Sequence, residues 1–225
     1  MVNNLDYSQT VARIRVLETK LVNQNQIERL VDSKDPKAFF EVLSDSAYAS
    51  HFDITSSPSE FQKIIDAEFA STVTFLKKNN PFSDQLDWLW LEYNILNIKS
   101  AIKNKIAGNE LSASELSSLG NIKPEDIIKA VYAIDKVKLE HVYQEIIKKS
   151  EAIYLKTQDP KQLDLVIDQA YFQILGSKIK KIKSKIVKNF IQSKIDLYNI
   201  ALLLRLKNQE KDKSFFKLYI ASDGT

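Results

Sequence analysis

An all-α fold made of tandem helical-bundle modules is what this sequence predicts, on three observations. Gly and Pro number only 4 and 5 in 225 residues, so turn-dense all-β and doubly wound α/β folds lack the residues their connections need. Apolar residues recur at three- and four-residue steps along most of the chain. Two stretches also match each other without a gap: Asp66, Phe69, Asn97 and Lys105 stand 102 residues before Asp168, Tyr171, Asn199 and Lys207. Ile64/Val166, Ile65/Ile167, Val73/Leu175, Trp88/Phe190, Leu89/Ile191 and Ile95/Leu197 keep the same apolar phase. Such self-similarity predicts an internal duplication, in which helical units bury their faces against neighbours.

In chain order, Tyr7, Val11, Ile14, Leu17 and Leu21 form the stripe of an amphipathic helix over 4–23. Asp35-Pro36 reads as an N-cap with Pro at the first helical position, opening a short helix toward Leu43. The polar stretch from Ser44 to Ser59 is expected to be a loop. The next helix begins near Pro58-Ser59-Glu60 and runs to Lys78, where Asn79-Asn80-Pro81 should stop it. From Ser83 the apolar pattern resumes and ends at Gly108, a C-terminal cap. Ser112-Ala113-Ser114-Glu115 is a capping box for a short helix, and Lys123-Pro124-Glu125-Asp126 opens another. One more helix is expected over roughly 134–156. Asp159-Pro160 then starts a segment reaching Gln209, interrupted only by Gly176, for which a continuous helix and a softly kinked one remain alternatives. The module boundary falls between Gly108 and Pro124, giving a first module over 1–115 and a second over 116–225.

The opening Tyr7–Leu21, followed by Ile27-Glu28-Arg29-Leu30, Lys34-Asp35-Pro36 and Leu43–Tyr48, resembles the start of the C subunit of the V-type and A-type ATP synthases, equivalent to the d subunit of vacuolar ATPases. Ile195-Asp196-Leu197-Tyr198-Asn199-Ile200 with Leu204-Arg205-Leu206-Lys207 is similar to an Asp-x-x-Asn-(Ile/Leu)-x-x-x-(Leu/Ile)-Arg-x-Lys element of that family. The resemblance implies a non-catalytic rotor part, peripheral to a membrane in the cytoplasm, placed between the central shaft subunits and the membrane ring subunits. It implies transmission of torque for ATP-coupled H+ or Na+ transport. It also implies three stacked helical modules, of which two are expected here and a third is expected to be missing beyond Thr225. Two departures stand out: Asn94 occupies the place of Asp196, and Lys103 that of Arg205.

Apart from that resemblance, little chemistry is written in the chain. The four glycines, at 108, 120, 176 and 224, permit neither a Gly-x-x-x-x-Gly-Lys-Ser/Thr loop nor a Gly-x-Gly-x-x-Gly turn, so nucleotide hydrolysis and dinucleotide binding are not expected. His51 and His141 have no metal-ligand spacing, and the absence of cysteine excludes disulfides and thiolate metal sites. No cofactor is expected. The N-terminus lacks the pattern of a cleavable signal, and no apolar run is long enough to span a bilayer. Asp66, Asp168 and Asp196 sit in amphipathic helices, where surface charge or an interhelical bond is the favoured reading over acid–base work.

Asn97 and Asn199 carry more weight, because an amide in an apolar stretch destabilises the helix unless its donors and acceptors are met. Each is expected to bond a neighbouring helix and set the register of its module, against the alternative of an exposed amide without a role. Trp88 and Trp90 point about 200° apart on a helix, so one suits the core while the other faces a partner. Lys178, Lys180, Lys181, Lys183, Lys185 and Lys188 surround Ile179, Ile182, Ile186 and Phe190 as a basic amphipathic helix over 178–188. A solvated face is the plainest account of it. An RNA- or protein-binding scaffold is the rival to the stalk, although the lysines lack the interleaved aromatics that single-strand binding uses, and no nucleic acid is expected. Net charge of +3 does not decide between them. Arg13, Arg15 and Arg205 are candidates for partner contacts, since a guanidinium holds a carboxylate through two bonds at once.

Overall fold

The computed structural model describes residues 4–44, 46–54, 57–79, 86–133, 137, 139–222 and 224. Helices account for the regular structure, and no strand occurs among the described residues. The chain divides into two compact units, 1–83 and 84–225. That division lies well before the 115/116 boundary expected from the duplication, because the helix at 87–106 shares its core with helices that follow it.

The first unit holds α1 (Asn4–Glu18), α2 (Gln24–Val31), α3 (Pro36–Leu43) and α4 (Phe61–Asn79). Helix α1 is shorter than expected, ending in turns closed by Lys20 and Leu21 N–H on the Leu17 and Glu18 carbonyls. Helix α2 has no counterpart in the expected elements. It starts from a reciprocal capping box in which Asn23 Oδ1 accepts from Gln26 N–H and Gln26 Oε1 accepts from Asn23 N–H, both at 2.9 Å. Helix α3 opens as expected, with Asp35 Oδ1 accepting from Ala38 N–H at 2.8 Å. The expected loop from Ser44 to Ser59 instead contains 3-10 turns at Ala47–Ile54 and Pro58–Glu60. Phe52 anchors the first of them against Phe40, with ring centroids 5.4 Å apart. Helix α4 reaches Asn79, and the expected stop at Asn80-Pro81 and restart at Ser83 lie outside the described residues. The core here is thin: Val42, Ile64 and Val73 are the buried apolar residues among those described. The α1 stripe is not closed over, and Val11, Leu17 and Leu21 are exposed.

The second unit is built from α5 (Asp87–Ile106), α6 (Pro124–Tyr132), α7 (His141–Thr157), α8 (Pro160–Ile179), α9 (Lys185–Asn208) and α10 (Lys213–Tyr219). A 3-10 turn at Ala113–Glu115 carries the expected capping box. Helix α5 lies against α6, α7 and α8, while α8 continues the packing to α9 and α10. Ile98, Ile102, Ile127, Leu163, Ile167, Leu175, Ile191 and Ile195 are fully buried in one shared core. A smaller cluster of Leu165, Leu202, Leu206 and Tyr219 fastens α10 to α8 and α9.

Terminations follow from backbone geometry. Helix α5 stops before Gly108, whose φ of +73° is the left-handed conformation that glycine adopts without a Cβ penalty. Helix α7 begins at His141, not near 134, because the ψ of 145° at Glu140 is not helical; residues 134–136 and 138 lie outside the described set. The segment from Asp159 to Gln209 is two helices. Lys180–Ser184 separates them, Ile182 drops into the core, and Ser184 Oγ caps α9 by accepting from Val187 N–H. Gly176 lies inside α8 and is not the break. The basic helix expected over 178–188 is therefore corrected to a helix end, a turn and a helix start, and its apolar stripe is split, with Ile182 buried and Ile186 and Phe190 exposed. Helices α5 and α9 end at Ile106 and Asn208, which keep the 102-residue offset.

Candidate functional site

Two of the polar residues singled out by the 102-residue offset become loop latches. Asn97 is buried in α5. Its Oδ1 accepts from Ser117 N–H at 2.9 Å and its Nδ2 donates to Ser117 C=O at 2.7 Å, so one side chain grips one residue's backbone on both sides. Asn199 on α9 repeats the arrangement with Ala221, accepting from its N–H and donating to its C=O, both at 2.9 Å. Each Asn thus ties a long helix to the segment that returns along it, and the expected interhelical bond is corrected to a helix-to-loop bond.

A second pair of residues, which the sequence match at 102 does not single out, completes the latches. Three residues beyond Ser117 and Ala221 stand Gly120 and Gly224. A Cβ on Gly120 would lie 2.2 Å from Asn94 Oδ1, and one on Gly224 would lie 2.1 Å from Asp196 Oδ1. Asn94 and Asp196 are themselves matching positions one turn before the latch residues. Asn94 Oδ1 accepts from the N–H groups of Asn121 and Ile122 at 2.9 and 3.2 Å, and its Nδ2 donates to the Tyr143 hydroxyl at 3.2 Å. Burial pushes the Tyr143 phenol up despite that bond. The signal is present as Ser117-Ser118-Leu119-Gly120-Asn121 against Ala221-Ser222-Asp223-Gly224-Thr225. These stand 104 residues apart, so a gap-free comparison at 102 passes over them.

The charged residues divide. Lys105 Nζ donates to the Val131 carbonyl near the end of α6 at 2.7 Å and pairs with Glu151 on α7 at 2.6 Å. Lys99 bridges Asp168 at 2.9 Å and Asp164 at 3.3 Å on α8, and Lys103 meets Asp164 at 2.8 Å. Asp168 is therefore an interhelical ion-pair member, whereas Asp66 is exposed and accepts from Gln62, one turn earlier on its own helix. Lys207 and Arg205 are exposed on α9, and no carboxylate among the described residues lies within salt-bridge distance of either. Arg15 pairs with Glu18 on its own helix at 2.7 Å, and Arg13 bonds the Asn79 side chain. His51 meets Glu68 at 2.9 Å; His141 is exposed.

Matching positions also touch one another. Trp88 packs on Phe190 with centroids 5.7 Å apart, and Lys194 pairs with Glu92, 102 residues away. Two such contacts one turn apart mean that α5 and α9 run parallel in register. Burial pulls the Lys194 amine down, but the Glu92 carboxylate and Tyr171 beside it outweigh this and leave it raised. Trp90 is the core tryptophan of the pair.

A cleft of about 380 Å³ opens beside Asn94, with Asp87, Glu140, Lys178 and Lys181 on its walls. The Asn94 polar atoms there are already bonded. No group of His, Asp and Glu able to hold a metal ion occurs among the described residues. No helix among them is long and apolar enough to cross a membrane. What fold and side chains define together is a helical scaffold whose polar groups hold its own loops and helices.

The chain belongs to the ATP synthase (C/AC39) subunit family, whose model matches residues 10–223. It is 25% identical over 235 residues to the A-type ATP synthase C subunit of Thermococcus gammatolerans, covering 97% of this chain and 62% of the relative. The A-type ATP synthase C subunit of Pyrococcus furiosus is 26% identical, with 97% of this chain and 61% of the relative covered. The V-type ATP synthase C subunit of Deinococcus radiodurans is 20% identical over 226 residues, covering 94% of this chain and 63% of the relative. The chain thus spans a little over three fifths of the length of these relatives.

Proposed function

We propose that this chain is a non-catalytic central-stalk part of a rotary ATPase, seated between the rotating shaft and the membrane ring and carrying torque from one to the other. The observation that carries the reading is the family match over 10–223, which spans both latches. Physical support comes from the second unit. Its helices are close-packed, and dense packing resists deformation and transmits strain. Asn97, Asn199, Lys99 and Lys105 add directional bonds that oppose sliding of a helix against its neighbours. The duplication of α4–α5 as α8–α9 belongs to the same proposal, supported by the paired Asn–backbone grips and the paired glycines.

The test is isolation of the tagged chain in mild detergent from the cells that make it. ATP-hydrolysing subunits, shaft subunits and the membrane ring should co-isolate, and vesicles lacking this chain should hydrolyse ATP without moving ions. Recovery of the chain without any ATPase subunit, or ion pumping that persists after its removal, refutes the proposal. The lysine-rich segment gives the RNA-binding rival no continuous helix to work with, since Lys180–Ser184 lies between α8 and α9.

A further inference from the structure

The cleft beside Asn94 holds charged groups that the latches leave unused. Its space of about 380 Å³ is walled by α5, the loop before α6, the start of α7 and the end of α8. The most buried residues lining it are Asn94 and Tyr143, 2% and 6% exposed, and Asn94 Nδ2 donates to the Tyr143 hydroxyl at 3.2 Å. A phenol that accepts at its oxygen still has its own proton to place, and no acceptor for that proton occurs among the described residues. Buried donors are normally bonded, so the Tyr143 O–H marks a place where a partner's acceptor belongs.

The rest of the lining carries both signs of charge. Glu140 stands at the N-cap of α7, yet its carboxylate makes no capping bond, and Asp87 opens α5. Neither carboxylate has a hydrogen-bond or ion-pair partner among the described residues. Both act on the Tyr143 phenol, which burial raises and which these two charges raise further. Lys178, near the end of α8, likewise has no partner for its amine among the described residues, and Lys181 completes the basic part of the lining. Ile122, Val142 and Ile174 supply the apolar part.

We infer that this cleft binds a small zwitterion of dipeptide size, its ammonium on Asp87 and Glu140, its carboxylate on Lys178 and its peptide carbonyl accepting from the Tyr143 hydroxyl. Charge balance selects this class. A diamine matches the carboxylates but meets Lys178 and Lys181, and inorganic phosphate matches the lysines but meets Asp87 and Glu140; a ligand with both charges leaves neither sign opposed. The volume agrees, since clefts of about 300–1,000 Å³ take small organic ligands. All the groups named belong to the 84–225 unit, so the inference goes beyond the stalk proposal and stands without it.

Calorimetric titration of the full 225-residue chain with the dipeptide alanyl-leucine tests this. A Kd of about millimolar order is expected for a ligand of this size. Acetylating the amine of the dipeptide, or amidating its carboxyl group, should each weaken binding by about tenfold. Glu140→Gln should weaken the parent dipeptide about fivefold and leave the acetylated form unchanged, whereas Lys178→Met should weaken it by a similar factor and leave the amide unchanged. Neither side chain has a partner in the fold among the described residues, so both variants should keep the urea midpoint of the parent. Tyr143→Phe should weaken the dipeptide about fivefold and leave free leucine, which has no carbonyl between its charges, unaffected. No binding at about 20 mM dipeptide, equal affinity for the acetylated form, or tighter binding of putrescine or inorganic phosphate overturns the inference. So does an affinity that survives both Glu140→Gln and Lys178→Met, which would put the ligand elsewhere on the chain.

Discussion

Replacing Asn97 with alanine removes both bonds to Ser117 and leaves its backbone N–H and C=O without those partners, beside a position that is buried in the parent. Stranding a donor or acceptor costs about 1–3 kcal/mol each, and Ser117 is half-buried, so a total of about 3 kcal/mol is expected for N97A. Asn199→Ala breaks the same two bonds, but Asn199 is itself half-buried and water can replace part of what is lost; about 1–2 kcal/mol is expected there. Asn97→Asp separates the two halves of the grip. The carboxylate it introduces still accepts from Ser117 N–H but opposes the Ser117 carbonyl oxygen, so this variant should be less stable than N97A at neutral pH. Burial and that repulsion raise the introduced carboxyl above its unfolded value, and a group raised in the folded state contributes stability at low pH that is lost as pH rises through its folded pKa. N97D should therefore recover as the solution is acidified, where the protonated acid can donate to the carbonyl. Both tryptophans, Trp88 and Trp90, lie on α5, so their fluorescence in a urea titration follows the 84–225 unit alone. With a slope of about 2 kcal/mol per molar urea, N97A should lower the midpoint by about 1.5 M. A midpoint within about 0.2 M of the parent, or N199A more damaging than N97A, refutes the reasoning.

Gly120→Ala should destabilise the same unit by about 2–4 kcal/mol, because its Cβ needs the space of Asn94 Oδ1, on a side chain held by three hydrogen bonds; Gly108→Ala, in open space but at φ +73°, should cost only about 1 kcal/mol in the same titration. Lys105→Met should cost about 1 kcal/mol, less at high salt, since the Lys105–Glu151 pair is about one-third exposed and partly screened. Burial raises the phenols of Tyr143, Tyr171 and Tyr198 above the ordinary value of 10.0, so the stability they contribute is intact below pH 10 and lost as pH rises beyond it. Absorbance titration should show these phenolates appearing only together with loss of helical circular dichroism. Smooth ionisation near pH 10 in a folded chain would contradict the burial.

Much of the fold was legible because its stops and starts use side chains with one local meaning. Asp35-Pro36, Asp159-Pro160 and the box at Ser112–Glu115 each cap where the sequence says they do. The Asn23–Gln26 box and the Asp212 cap of α10 use the same chemistry but are hard to see, since the segments they open are too short to show periodicity. The break at Lys180–Ser184 was hidden for another reason. Ile182 keeps the helical phase of its neighbours, yet it is buried through a turn, and only the tertiary core decides that. In the latches, an amide in an apolar stretch announced that it needed partners but not which ones. Lys105 and Lys207 look equivalent in sequence and differ in structure because their partners come from other elements.

The two latches explain how a unit with so few special residues holds one register. Apolar contacts are non-directional, so an amphipathic helix displaced by a turn along its neighbour still finds apolar surface. A side-chain amide that bonds both the N–H and the C=O of one residue has no equivalent position a turn away, because the displaced amide meets atoms that are already paired or absent. The glycine three residues further on sharpens this, since it lets the loop approach Asn94 or Asp196 where a Cβ would collide. Matching contacts between α5 and α9, Trp88 on Phe190 and Glu92 on Lys194, then hold the two helices parallel and in register. A part proposed to carry torque needs this directional kind of bond: hydrophobic burial supplies most of the free energy of folding, but slippage along a helix axis is opposed by groups that pair in only one place.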